Sequence, residues 1–209
     1  MITGNTHLRC YKHLEKEIEK HLDILTKLEN SGVMSQGEVL GLYETTLLKL
    51  FISFEAYIES SFMCYLMGKR SSFNYKPKLR IKVTSIEDAY HWINGKILSN
   101  REFIDWSNLN FIRDKAKLFW GTDDNPYDRL LGASPQYKHI KTLRNSVAHL
   151  TRFHYDSLKP VELHFFNTSL NRTTGELLME NYGASRRPLI YFFSEKLLEY
   201  AEIVQIDPN

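Results

Sequence analysis

The run from Leu47 to Met67, LLKLFISFEAYIESSFMCYLM, is the longest apolar stretch of the chain, and it restricts the fold more than any other feature. Its apolar residues continue a helical spacing that begins near Glu38. Leu40, Tyr43, Leu47, Leu50, Phe51, Phe54, Ile58 and Phe62 recur mostly at steps of three and four. The spacing predicts one long helix over 38–67, apolar on most sides from Leu47 onward, as a helix buried among others must be. Lys49, Glu55 and Glu59 stand inside the run. Charges there make a membrane span costly, so the expected surroundings of this helix are other helices.

The neighbouring segments supply them. Tyr11, Leu14, Ile18, Leu22, Leu25 and Leu28 form a stripe on a charged helix that Asn30-Ser31-Gly32 closes, and the two helices read as an antiparallel hairpin. Ser85-Ile86-Glu87-Asp88 has the form of a capping box before a helix over 89–97. A further helix is expected from a cap at Ser107 or Asn108 through Phe111, Lys115, Leu118 and Phe119, and another over 136–153. Val161 to Phe166 and Leu177 to Tyr182 flank Asn171-Arg172-Thr173-Thr174-Gly175, which predicts a β-hairpin over 161–182. A last helix runs from Pro188 to about Val204. The expected fold class is mainly α: a helical bundle with a C-terminal β-hairpin insertion, forming a single domain over 1–209.

A chain of 209 residues with 43% hydrophobic and 13% aromatic residues is globular in composition and large enough for one real core. The net charge of +2 identifies no partner, so any nucleic-acid surface must be a local patch. The stretch 68–83, GKRSSFNYKPKLRIKV, is such a patch: it holds Lys69, Arg70, Lys76, Lys78, Arg80 and Lys82 with no acid. It reads either as a basic loop insertion that binds RNA backbone, with Phe73 and Tyr75 stacking on bases, or as a solvated loop or an edge strand protected by its lysines. Cys10 and Cys64 lack Cys-x-x-Cys spacing and are read as reduced thiols. The first residues contain no apolar stretch of the secretory kind, and the expected location is the cytoplasm.

One short segment carries chemistry. Arg144-Asn145-Ser146-Val147-Ala148-His149 sets a guanidinium five positions before an imidazole, with an amide directly after the arginine. Arg stays charged and donates several hydrogen bonds to phosphate, and His moves protons near neutrality. On a helix, Ile140, Leu143, Val147 and Leu150 share the core side. His149 lies roughly 180° from Ile140, and Asn145 lies about 40° from His149. The bare spacing arises readily by chance, and an exposed helix histidine is its plain alternative. A helix with an Asn-His stripe beside Arg is also suited to meet a second copy of itself, which would surround one phosphate with two sets of groups.

These residues resemble the signature of the HEPN superfamily, Arg-polar-x-x-x-His, with Asn after the Arg and a small residue before the His. Phe54-Glu55-Ala56-Tyr57-Ile58-Glu59 is similar to the second-helix pattern of RiboL-PSP-type HEPN proteins. The resemblance implies a HEPN-like helical bundle and a metal-independent endoribonuclease that needs no cofactor. It implies catalytic Arg144, Asn145 and His149 at a composite site in a homodimer, with RNA as substrate. It further implies a toxin or anti-phage abortive-infection effector, with an antitoxin or defence-system protein as partner. The subgroup paired with nucleotidyltransferase antitoxins carries Tyr two positions after the His, where this chain has Thr151. A non-catalytic HEPN-like module that binds protein or RNA is the alternative.

Other candidates are few. Glu55, within the most apolar helix, reads as a carboxylate supporting Arg144 or as an acid at the edge of the stripe. His139, His149, His154 and His164 show no i, i+4 spacing, and no metal site is expected. Gly residues are scattered, so no phosphate-cradling loop is expected. Ser146 and Ser194 lack the setting of a nucleophile elbow.

Overall fold

Helical spacing dominates the sequence, and helices dominate the computed structural model, which describes residues 6–93, 104–131, 134–148, 154–184 and 186–206. In chain order the α-helices are α1 (His7–Glu29), α2 (Gln36–Leu66), α3 (Ile86–Ile93), α4 (Leu109–Trp120), α5 (Ser134–Ala148), α6 (His154–Phe166), α7 (Thr174–Met179) and α8 (Leu189–Ile203). A 3₁₀ turn, Asp128–Leu131, lies between α4 and α5. The strands β1 (Asn181–Tyr182) and β2 (Arg187–Pro188) pair antiparallel, Asn181 opposite Pro188 and Tyr182 opposite Arg187. Among the described residues no helix is long and apolar enough to cross a membrane.

The chain divides into two compact units, each assembled from segments distant in sequence. One comprises Met1–Leu14, Phe54–Ser134 and Glu199–Asn209, and the other comprises Glu15–Ser53 and Pro135–Leu198.

Phe62 of α2 centres the core of the first unit. Its ring lies 5.5 Å from Trp106, 5.6 Å from Phe119, 5.0 Å from Trp120 and 5.4 Å from Tyr127, mostly edge to face, the arrangement aromatic quadrupoles favour. Buried tyrosines then satisfy carbonyls at the end of α8: Tyr57 donates to the Ala201 carbonyl at 2.6 Å and Tyr65 to the Val204 carbonyl at 2.8 Å. Asn108 caps α4 by accepting from the Phe111 amide at 3.1 Å. Ser85 caps α3, accepting from the Asp88 amide at 3.0 Å; the expected continuation over 94–97 lies outside the described residues.

In the second unit, Tyr43 of α2 donates to Glu29 of α1 at 3.0 Å, and Thr26 of α1 meets the Tyr191 hydroxyl of α8 at 2.7 Å. Of the stripe expected on α1, Leu14, Ile18 and Leu25 are buried, whereas Leu28 is 41% exposed at the end of the helix.

The hairpin expected over 161–182 is corrected. Val161 to Phe166 belongs to α6 and Leu177 to Met179 to α7, and the only strand pair among the described residues lies at 181–188. Pro160 invites a break before Val161, yet it stands inside α6. Leu158, Val161 and Phe165 are buried at helical spacing. Glu162 is buried too, and its carboxylate accepts from the amides of Leu170 and Asn171 at 2.9 and 3.2 Å. It therefore does not alternate outward as a strand would require. The second segment is decided by a capping box: Thr173 accepts from the Glu176 amide at 3.3 Å, and Glu176 accepts from the Thr173 amide at 2.7 Å.

Candidate active site

Helix α5 carries the first five residues of the Arg144–His149 motif. Tyr137, Ile140, Leu143 and Ser146, at every third position, are buried, while Arg144, Asn145 and Val147 are half-buried. The expected face differs at one point: Ser146, not Val147, takes the buried place. The Ser146 hydroxyl donates to the Leu143 carbonyl at 2.6 Å and meets the Thr174 hydroxyl at 2.5 Å. A buried hydroxyl with both partners supplied costs little, so a serine can occupy a core position there. Thr174 is the first residue of α7. The next amide, Gly175, donates to Glu44 of α2 at 3.0 Å. A Cβ at Gly175 would lie 2.8 Å from the Leu40 carbonyl oxygen, so only glycine lets α7 approach α2 this closely. Within the second unit the motif helix is thus tied through Ser146 and α7 to α2.

Arg144 and Asn145 are brought together. The Arg144 guanidinium donates to Asn145 Oδ1 at 3.0 Å, and its Cζ lies 5.4 Å from the centre of the Phe51 ring. Phe51 is fully buried and also stacks on Tyr137, centroids 5.8 Å apart at 26°. Tyr137 and Arg144 are seven residues apart, two helical turns, so one α2 ring serves both. A cation over an aromatic face is attracted by the ring quadrupole. Sequence reasoning missed Phe51 because it is one of several aromatics on α2, and nothing in its spacing sets it apart. His149, and Leu150 with it, lie outside the described residues, as does the expected continuation of the helix to 153. Glu55 is half-buried on α2, one turn after Phe51.

Lys76, Lys78, Arg80 and Lys82 are all exposed, on a segment the fold holds at several points. The Asp124 carboxylate accepts from the Tyr75 hydroxyl at 2.8 Å and from the Lys78 amide. The Arg80 amide donates to the Phe119 carbonyl at 2.7 Å. The Arg80 guanidinium covers Gly121, where a Cβ would come within 2.2 Å of it, and Gly121 has a left-handed φ of 81° that also favours glycine. Base stacking by Tyr75 is excluded: the ring is buried, edge-on to Tyr65 at 5.9 Å. Phe73 is 54% exposed.

His139 of α5 stacks on His164 of α6, centroids 4.5 Å apart at 27°. Burial lowers the His139 pKa, and the neighbouring His164 and Lys138 lower it further. Among the described residues no group of three His, Cys, Asp or Glu side chains is placed to share a metal ion. A pocket of about 230 Å³ at the β-hairpin is lined by Tyr182, Gly183, Arg187, Tyr191, Phe192 and Glu195. Its two charges engage each other: Arg187 lies 4.3 Å over the Tyr191 ring and pairs with Glu195 at 3.2 Å. Compared with known proteins, the chain matches no family model, no curated protein and no solved structure.

Proposed function

We propose that this chain is a metal-independent endoribonuclease of the HEPN type, acting in the cytoplasm as a homodimer in a toxin or anti-phage system. The observation that carries the reading is the Arg144–Asn145 pair on α5, a guanidinium held against the adjacent amide at 3.0 Å and over the Phe51 ring. A guanidinium that is always charged is a ready partner for a phosphate whose negative charge grows in the transition state.

In this mechanism the 2′-OH of one nucleotide attacks the adjacent phosphorus and the bond to the 5′-oxygen breaks, leaving a 2′,3′-cyclic phosphate and a 5′-OH. His149 of one copy takes the 2′-OH proton and His149 of the second gives a proton to the leaving oxygen. Arg144 holds the phosphate oxygens, and Asn145 orients the guanidinium. Lys76, Lys78, Arg80 and Lys82 bind the RNA backbone. RNA incubated with the protein in EDTA is cleaved by the wild type and is cleaved at least ~100-fold more slowly by Arg144→Ala or His149→Ala. An intact RNA with wild type, or equal cleavage by all three, overturns the proposal. Binding without cleavage would make the chain a non-catalytic RNA-binding module.

A further inference from the structure

The only two cysteines of the chain, Cys10 in the first turn of α1 and Cys64 in the last turn of α2, belong to the same compact unit. Ring contacts on either side of Cys10 set the packing of these two helix ends. The His7 ring lies 3.9 Å from Tyr65, and the Tyr11 ring meets Tyr57 edge-on at 6.3 Å. Cys10 falls one turn after His7 on the same side of α1, and Cys64 directly precedes Tyr65. Cys10 is 7% exposed and Cys64 2%. The two side chains are hydrogen-bonded to each other. Thiols within hydrogen-bond reach need only a small further approach to join.

We propose that Cys10 and Cys64 form an oxidative modification site, at which a peroxide-class oxidant converts the two thiols into an intramolecular disulfide stapling the start of α1 to the end of α2. Cys10 is the attacking group. Of the two thiols it is the more accessible, 7% exposed against 2%, and the hydrogen bond with Cys64 lowers its pKa. The Cys10 thiolate attacks one peroxide oxygen and the O–O bond breaks. Cys10 becomes a sulfenic acid, and the departing hydroxide takes up the proton Cys10 released, forming water. The Cys64 sulfur then attacks the Cys10 sulfur, the S–O bond breaks, and a second water leaves with the Cys64 proton. Two thiols are oxidised and one peroxide is reduced to two waters. A dithiol reductant reverses the product by exchange.

The test uses the native chain, hydrogen peroxide and mass spectrometry of intact protein and peptides. The expected result is loss of two hydrogens in mass, a peptide pair joined through Cys10 and Cys64, a Tm raised by about 5–10 °C, and reversal by dithiothreitol. In Cys64→Ser the sulfenic acid has no partner, and dimedone labels Cys10. Three results overturn the proposal: cross-links between chains instead of within one, no cross-link in the native chain under conditions that oxidise the urea-unfolded chain, or dimedone labelling of Cys64 but not Cys10 in the single-cysteine variants. The wild-type readout needs no variant to fold.

Discussion

Arg144 shows what a single position asks of its neighbours. Its charge and the amide beside it are legible in the sequence, whereas the ring that seats it comes from a helix about ninety residues earlier. Phe51→Leu keeps an apolar side chain of similar volume, at a cost of less than about 1.5 kcal/mol, but removes the aromatic face. Cleavage by this variant is expected to show kcat reduced about 10-fold with KM nearly unchanged, and Phe51→Tyr to restore it; unchanged kcat in Phe51→Leu would show that the ring does not position Arg144. Ser146 teaches the converse. Helical phase assigned the core place to Val147, and the Thr174 hydroxyl, invisible in the local pattern, gave that place to a serine. His7 is the most consequential residue the sequence did not flag. It is fully buried against Tyr65, and burial lowers its pKa to about 3. The unfolded chain binds a proton at His7 below about pH 6.5 and the folded chain does not. The full contribution is therefore present above pH 6.5 and is lost as pH falls from there toward 3. The loss at pH 4 is on the order of 3 kcal/mol. Urea unfolding should show the wild type losing more stability between pH 7 and pH 4 than His7→Phe, and equal losses would refute the assignment.

At the scale of elements, α1, α2, α4 and α8 were readable from their apolar residues and, for α1, from the stop signal Asn30-Ser31-Gly32. The hairpin over 161–182 was misread because Val161 to Phe166 alternates on paper. Only the buried carboxylate of Glu162, satisfied by amides of the following loop, shows that a polar side chain points inward. The α7 helix has just six residues, too short for periodicity, and its true signature is the capping box of Thr173 and Glu176. Its seat on α2 depends on Gly175. Gly175→Ala places a methyl group against a backbone oxygen that has little room to yield, and about 1–3 kcal/mol of stability is expected to be lost by chemical denaturation. Since α7 also holds Ser146, activity should fall with it. A Gly175→Ala protein as stable as wild type would mean that α7 does not pack on α2 in this way.

For the whole molecule, the helical class was legible, whereas the division into two units was not. Each unit joins segments distant in sequence, and such pairings leave no trace in local spacing. The basic segment was legible as charge, but its anchoring by Asp124, Phe119 and Gly121 was not. Replacing Lys76, Lys78, Arg80 and Lys82 together by Gln should flatten the dependence of RNA affinity on salt, lowering the slope by up to about 3 for a single strand. An unchanged slope would remove this segment from the RNA path.

The claim that joins these scales is that the α5 pair cleaves RNA through the 2′-OH. The end groups of the products report on it most directly. RNA incubated with wild-type protein in EDTA is predicted to give 2′,3′-cyclic phosphate and 5′-OH ends, which disappear with Arg144→Ala. Fragments ending in 3′-OH and 5′-phosphate, or no fragments at all, would contradict the account.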